Sequence, residues 1–274
     1  MGLRERSRLI LASDGRAGGP DHLAEPWAIP LQEARLSTFL AADRNVAQVD
    51  DASTDTTEAF LSGQITDMQS RLNITSLVDG GQVQAGGLKQ FTRLFERLGL
   101  PQQQLTSLVE ALRKAQSAAG TDDANAPLMP QTVSQLGWLG VPASTIAILS
   151  PHITILPVRT PVNLNTADVD VLWAAIDGID LASAQKLIAS RESRHFKLIS
   201  DATSLLGSNT VLDDTQVSVA SRFFEVRGRL RLGDSIVDER SLVRKDASNF
   251  VVTLWRERGV FDRDPATAAA QAPR

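Results

Sequence analysis

The hydrophobic period changes twice along this chain, and that constrains its fold more than any other feature. After Ser218 the period is two. In FEVRGRLRL, Phe224, Val226, Leu230 and Leu232 alternate with Glu225, Arg227, Arg229 and Arg231, so one face can be buried while the other carries charge. SIVDERSLVRK and NFVVTLWRER continue as two more strands around the turn DAS, an antiparallel meander. From Leu88 to about Ser208 the pattern is helical instead, and Leu88, Phe91, Leu94 and Phe95 fall on one helix face. Ahead of this block, EAFLSGQITDMQSRLNITSLV (58–78) alternates in part and predicts one or two strands. Residues 3–13 read as the last turns of a helix, ended by Asp14-Gly15 and then Gly18-Gly19-Pro20.

Helix, strands, helical block, strands is an order that one layered domain accommodates only if the block loops out of the sheet. The expected fold class is therefore α+β: a helix and an antiparallel sheet, with a large all-α domain inserted in the sheet. The expected domains are 1–78 and 218–260 for the helix-and-sheet part, 79–217 for the insert, and a disordered tail over 261–274, where DPATAAAQAPR lacks core-forming residues.

Within the block lies VNLNTADVDVLWAAIDGIDLASAQKLIASR (162–191). Asn165 or Thr166 can cap a helix starting at Ala167, with Val169, Leu172, Trp173 and Ile176 on one stripe. Asp177-Gly178-Ile179-Asp180 makes the turn, and Asp180 can cap a second helix whose Leu181, Ala184, Leu187 and Ile188 face the first. Phe196 and Ile199 close the bottom, and Ser200 can cap a third helix carrying Leu205 and Leu206. This is the layout of a helix-hairpin-helix. A DNA-gripping hairpin aims bare turn and helix-start amides at a phosphate. Here Asp180 replaces the second turn glycine, and Asp168, Asp170 and Asp177 surround it. Those carboxylates repel phosphate, while Lys186, Arg191, Arg194 and Lys197 lie further along. The net charge of −4 and pI of about 5.5 also lack the basic excess a duplex binder draws on. A nucleic-acid-binding hairpin is thus the alternative reading, not the first.

No catalytic set assembles. There are no cysteines, and His22, His152 and His195 lack zinc-ligand spacing. Ser183-Ala-Gln-Lys186 matches a nucleophile pattern without its companion motifs. The row Arg227, Arg229, Arg231, with Arg222 and Arg240 nearby, reads as a solvated strand face. The four tryptophans, at 27, 138, 173 and 255, read as core anchors. Asp50, Asp51, Asp55 and Glu58 lack an EF-hand register, which leaves Asp122 and Asp123 as weak calcium candidates. No apolar run approaches the roughly 18 residues of a membrane span, and the start is not a secretory signal.

Three segments in fixed order, DHLAEPWA (21–28), DMQSRLNITSLV (67–78) and PVNLNTADVDVL (161–172), resemble the motifs of the K-type minor pseudopilins of the bacterial type II secretion system, general secretion pathway protein K. In that family the second motif looks like D-x-x-G-R-[FL]-N-[LI]-x-x-L, with glycine where Ser70 stands here, and the third opens a helix-hairpin-helix-like subdomain. TVSQLGWL (132–139) resembles the family's S-V-S-E-L-R-x-[LV], and the likeness extends from 21 to about 256. It implies a pilin-like fold and a non-enzymatic role: capping the pseudopilus tip with I- and J-type minor pseudopilins, the H-type being a further candidate partner, for export of folded proteins. It also implies the periplasmic domain of an inner-membrane-anchored protein of a Gram-negative bacterium, with 1–13 as the end of a pilin helix whose membrane segment this chain lacks. Leu3, Leu9 and Ile10 are then the candidate partner contacts, and secreted proteins are candidate substrates. Many members carry a longer acidic stretch in the helical domain, with which calcium is associated. LRKAQSAAGTDDANAPLMP is shorter and keeps only Asp122 and Asp123, so no cofactor is certain and calcium is the one candidate.

Overall fold

The computed structural model describes residues 3–35, 59–118, 127–207, 210–233, 235–246, 248 and 250–259. The tail 261–274, the acidic run from Asp50 to Glu58, and Asp122 and Asp123 lie outside the described residues. The chain forms two compact units: 1–17 with 24–66 and 224–274, and 18–23 with 67–223.

The first unit is a helix on a sheet. Helix α1 (Leu3–Ala17) accompanies strands β1 (Leu31–Arg35), β2 (Ala59–Asp67), β3 (Phe223–Leu232), β4 (Ser235–Lys245) and β5 (Val251–Gly259), which pair in sequence order. Pairing of β2 with β3 spans the whole helical block, as the change of period requires. The core consists of Leu11, Trp27, Ile65, Phe224, Val226, Val243 and Val251, with Trp27 edge-on to Phe224 at 5.1 Å between ring centroids. Arg8 Nε donates to the Val251 carbonyl at 3.0 Å, and Lys245 Nζ meets Asp14 Oδ2 at 3.1 Å. That last pair explains a difference from expectation. α1 runs through Asp14-Gly15 to Ala17 because Asp14 is anchored to the sheet, and it stops only where Gly18 takes φ 68°.

The arginine row is not a merely solvated face. Arg227 pairs with Glu225, Arg229 with Asp238, Arg231 with Glu33 and Arg240 with Glu257. The Arg231 guanidinium also lies 4.1 Å over the Phe60 ring, and Arg240 lies 5.6 Å over Trp255. For Arg229 with Asp238 and Arg240 with Glu257, neighbouring strands bring opposite charges side by side, which positions along one strand do not reveal.

The second unit is mainly helical: α2 (Ala85–Arg97), α3 (Gln102–Ser117), α4 (Ala143–Leu149), α5 (Val169–Ala175), α6 (Leu181–Ser193) and α7 (Ile199–Leu206). Phe91, Leu94 and Phe95 of α2 are buried with Leu105, Leu108, Val109 and Leu112 of α3, as their spacing requires. Gly87 lets the start of α2 approach the backbone at Ser76, because a Cβ there would fall 1.9 Å from the Ser76 carbonyl oxygen. Of the one or two strands expected over 58–78, one is β2, and beyond Asp67 the chain is extended only in two-residue pieces. After β2 the chain makes 3-10 turns at Met68–Ser70 and Ile74–Ser76, separated by the short pairing of Leu72–Asn73 with Ile153–Thr154. The side chains of Asp67 and Asn73 take the amides of Gln69 and Thr75, which bends the backbone out of extension. Trp138 is also not a core anchor: it is 58 % exposed, while Trp27 is 2 % exposed.

Candidate functional site

The hairpin forms, with its caps shifted from the expected positions. α5 starts at Val169, and its cap is Asp168, whose Oδ1 accepts the Val171 amide at 2.8 Å. Asn165 and Thr166 are instead drawn into the interior, Asn165 by the Phe196 amide and carbonyl, at 2.9 Å each. Gly178 makes the turn at φ 73°. Asp180 caps α6 through the Ser183 amide at 2.8 Å, as its position suggested. α7 is capped by Asp201, which takes the Lys197 and Leu198 amides, and not by Ser200. Val171, Leu172, Ile176, Ala184, Leu187 and Phe196 are buried between the helices.

This geometry leaves little for a nucleic acid. The amide at the start of α6 already binds the Asp180 carboxylate, where a phosphate would sit. Two of the hairpin's bases are spent internally: Lys186 Nζ donates to the Leu205 carbonyl at 2.9 Å, capping α7, and Arg191 donates to the Leu164 carbonyl at 2.7 Å. Burial lowers the Arg191 pKa to about 10, so the side chain still carries its charge at neutral pH.

Helix α2 grips the hairpin from outside through three cations. Lys89 meets Asp177 at 2.6 Å and Arg97 meets Asp170 at 2.6 Å. Between them Arg93 donates to the Trp173 carbonyl at 3.0 Å and the Ile179 carbonyl at 3.2 Å, while its guanidinium lies 4.2 Å over the Trp173 ring. Two of the acidic residues that argue against phosphate binding, Asp170 and Asp177, thus serve as docking points for α2. Sequence reasoning missed these three cations. Their spacing of four along one helix face was the available signal.

His152 Nδ1 lies 3.0 Å from Asp168 Oδ2, and a carboxylate oxygen of Asp170 completes a group of ligand-type atoms within 4.8 Å of one another. Each is already engaged: Asp168 caps α5 and bonds His152, and Asp170 holds Arg97. Burial raises the Asp168 pKa, but the His152 hydrogen bond and the Val171 amide outweigh it, so the group stays below the ordinary carboxylate value.

Beneath the hairpin lies a buried polar cluster. Asp67 Oδ2 accepts from Thr166 Oγ1 at 2.6 Å, Ser221 Oγ at 2.7 Å and Asn163 Nδ2 at 3.1 Å, and its Oδ1 takes the Gln69 amide. Asn163 also donates to the Asp21 carbonyl, and Asp21 Oδ2 accepts the Ser221 amide at 2.7 Å. The motifs beginning at Asp21, Asp67 and Pro161 therefore meet in one place.

Two sequence models of type II secretion system protein K match this chain, one over residues 70–158 and one over 162–220, together more than half of it. The chain belongs to the type II secretion system protein K family. It is 28 % identical over 260 residues to the type II secretion system protein K of Pseudomonas aeruginosa, an alignment covering 85 % of this chain and 72 % of that protein. Its fold is similar to a chain in the crystal structure of the GspK-GspI-GspJ complex from the enterotoxigenic Escherichia coli type 2 secretion system. The TM-score is 0.67 at 18 % identity, over 94 % of this chain and 93 % of that one. The protein K models span both α2 and the hairpin it grips.

Of the residues expected to contact partners, Leu9 is 52 % exposed on α1, and Ile10 is partly buried against the core of its own unit. The Leu3 side chain lies outside the described residues, as do Asp122 and Asp123. Among the described residues, no helix is long and apolar enough to cross a membrane.

Proposed function

We propose that this chain is the periplasmic part of a non-enzymatic minor pseudopilin, which caps the tip of the type II secretion pseudopilus in a complex with I- and J-type pseudopilins, for export of folded proteins. The observation that carries this reading is the division of the chain: a small helix-and-sheet unit whose sheet is interrupted between β2 and β3 by a helical unit of residues 67–223. Family membership supports it, as does a fold shared over nearly the whole length with a chain from a GspK-GspI-GspJ complex. In this reading the sheet unit is the pilin-like part, and the helical unit is too bulky to let another subunit stack above it. An inner-membrane anchor would precede α1. Leu3, Leu9 and Ile10 would then belong to the partner-facing side of the helix, with Leu9 the most open of the two that are described.

The test is size-exclusion chromatography with light scattering, on this protein mixed with soluble I- and J-type pseudopilins of the same organism. A stable 1:1:1 species is expected, and Leu9→Asp should weaken it. Elution of the protein alone, with a short DNA duplex shifting it at low salt, would overturn the reading. A calcium role for Asp122 and Asp123 is a separate proposal. It predicts a rise in Tm on adding calcium that the double Asp→Asn variant loses, and an unchanged Tm would remove it.

A further inference from the structure

The segments by which the chain enters and leaves the helical unit converge on the buried polar cluster. The crossings fall at 17/18, 23/24, 66/67 and 223/224, so Asp21, Asp67 and Ser221 each stand within a few residues of one. Ser221 joins two carboxylates, giving its hydroxyl to Asp67 Oδ2 and its amide to Asp21 Oδ2, both at 2.7 Å. Asp67 is 2 % exposed and Asp21 3 %.

The chemistry of the partners matters here. All four groups donating to Asp67 are uncharged: an amide, a carboxamide and two hydroxyls. A hydroxyl can reverse and accept. Either the Thr166 or the Ser221 hydroxyl can therefore accept the one hydrogen bond that a neutral Asp67 donates, as readily as it donates to an ionised one, with no heavy atom moving. Around Asp67, the connector 18–23 presents the Asp21 carboxylate. The hairpin strand presents the neutral Asn163 and Thr166. The exit segment presents Ser221, while the Arg222 guanidinium lies over the Phe223 ring at 5.9 Å. A second buried carboxylate favours the neutral form of the first.

We propose that the cluster is a proton-operated clasp: a proton taken up at Asp67 tightens the hold on the connecting segments 18–23 and 219–222. Burial, with Asp21 adding to it, raises the Asp67 pKa to about 6 against the lowering effect of its hydrogen bonds. When the clasp opens to water, the pKa returns to its ordinary value near 3.9. A group raised on closing stabilises the closed state fully below that ordinary value, and the gain is lost as pH rises through about 6. The clasp is therefore firmer in mild acid than at neutrality.

Two measurements on the whole protein test this. In protein labelled at the aspartate carboxyl carbons, one resonance, assigned by its loss in Asp67→Asn, should titrate near pH 6. In amide exchange corrected for intrinsic rates, protection of the Asp21 and Ser221 amides should rise roughly tenfold from pH 7 to pH 5, and Asp67→Asn should abolish that rise. If Asp67→Asn does not fold, the clasp stands or falls on the wild-type protein, through the exchange ratio and the count of carboxyls titrating above pH 5. No buried aspartate titrating above pH 5, or protection that does not change between the two pH values, would overturn the proposal.

Discussion

The two units are held together by different means. The helical unit buries a continuous apolar core from Leu72 to Val217 and keeps its polar interior satisfied by uncharged partners around Asp67. The sheet unit, among the described residues, has nine buried apolar side chains, seven of them in one cluster from Leu11 to Val251, and a sheet face laced by partly exposed arginine–carboxylate pairs. Apolar burial contributes roughly 25 cal/mol per Å², whereas an exposed ion pair contributes roughly 0–1 kcal/mol. The helical unit is therefore built to stand by itself. Among the described residues, the sheet unit has less holding it.

The sharpest way to break that comparison is to empty each core. Phe91→Ala removes a fully buried ring from the helical unit and should cost about 3–5 kcal/mol, read as a fall in the midpoint of that unit's unfolding transition. Leu11→Ala in the sheet unit should cost about 2–5 kcal/mol. The smaller loss should nonetheless unfold its unit more completely, because fewer contacts remain. Equal residual structure in the two variants, by far-UV dichroism at a fixed temperature, would contradict the difference in self-sufficiency.

Next in size is the grip of α2. Arg93→Met keeps the aliphatic stem but leaves the Trp173 and Ile179 carbonyls without their donor, at an expected cost of about 1–3 kcal/mol. Quenching of tryptophan fluorescence should rise as the Trp173 ring loses its cover. An unchanged stability would mean that apolar packing alone docks α2 to the hairpin.

A subtler effect separates the buried Asp67 from the half-exposed Asp168 by pH. Asp168 sits below its ordinary pKa, so its stabilising effect is present above that ordinary value and is lost as pH falls through the folded one. Asp67 has the opposite sign. Asp168→Asn should therefore flatten the acid limb of a stability–pH profile below about pH 4 and leave the limb near pH 6 in place. A change in the upper limb would show the two sites to be coupled.

How these features read in the sequence follows from their range. The hairpin was legible because its signals are local: Leu172, Ile176, Ala184 and Leu187 recur at helical spacing, and Asp180 stands directly before α6. The sheet was legible from the period-two run in β3. What stayed hidden is long-range and polar. Asp67 with Ser221, or Arg93 with the Trp173 carbonyl, joins positions about 80 to 154 residues apart, and no local pattern marks such a pair. Asn165 and Thr166 looked like caps because either can bond a nearby amide, and only the burial of their side chains shows them serving the interior. Trp138 misled for the reverse reason: size alone does not place a tryptophan in the core.

The smallest expected effect is also the most pointed. If the hairpin has been converted from gripping phosphate to docking α2, restoring the lost turn residue should not restore the old use. Asp180→Gly frees the Ser183 amide and removes one negative charge. Lys186 and Arg191 would still be donating to the Leu205 and Leu164 carbonyls, and Asp170 and Asp177 would still flank the turn. Phosphate binding draws its strength from several cations presented to the backbone together, and here two of the hairpin's four bases are held by carbonyls. The expected result is no retention of a short duplex by either wild type or Asp180→Gly at low salt. Retention by the variant with a steep salt slope would mean that the conversion is one residue deep, and that the docking role of α2 is not what redirected the hairpin.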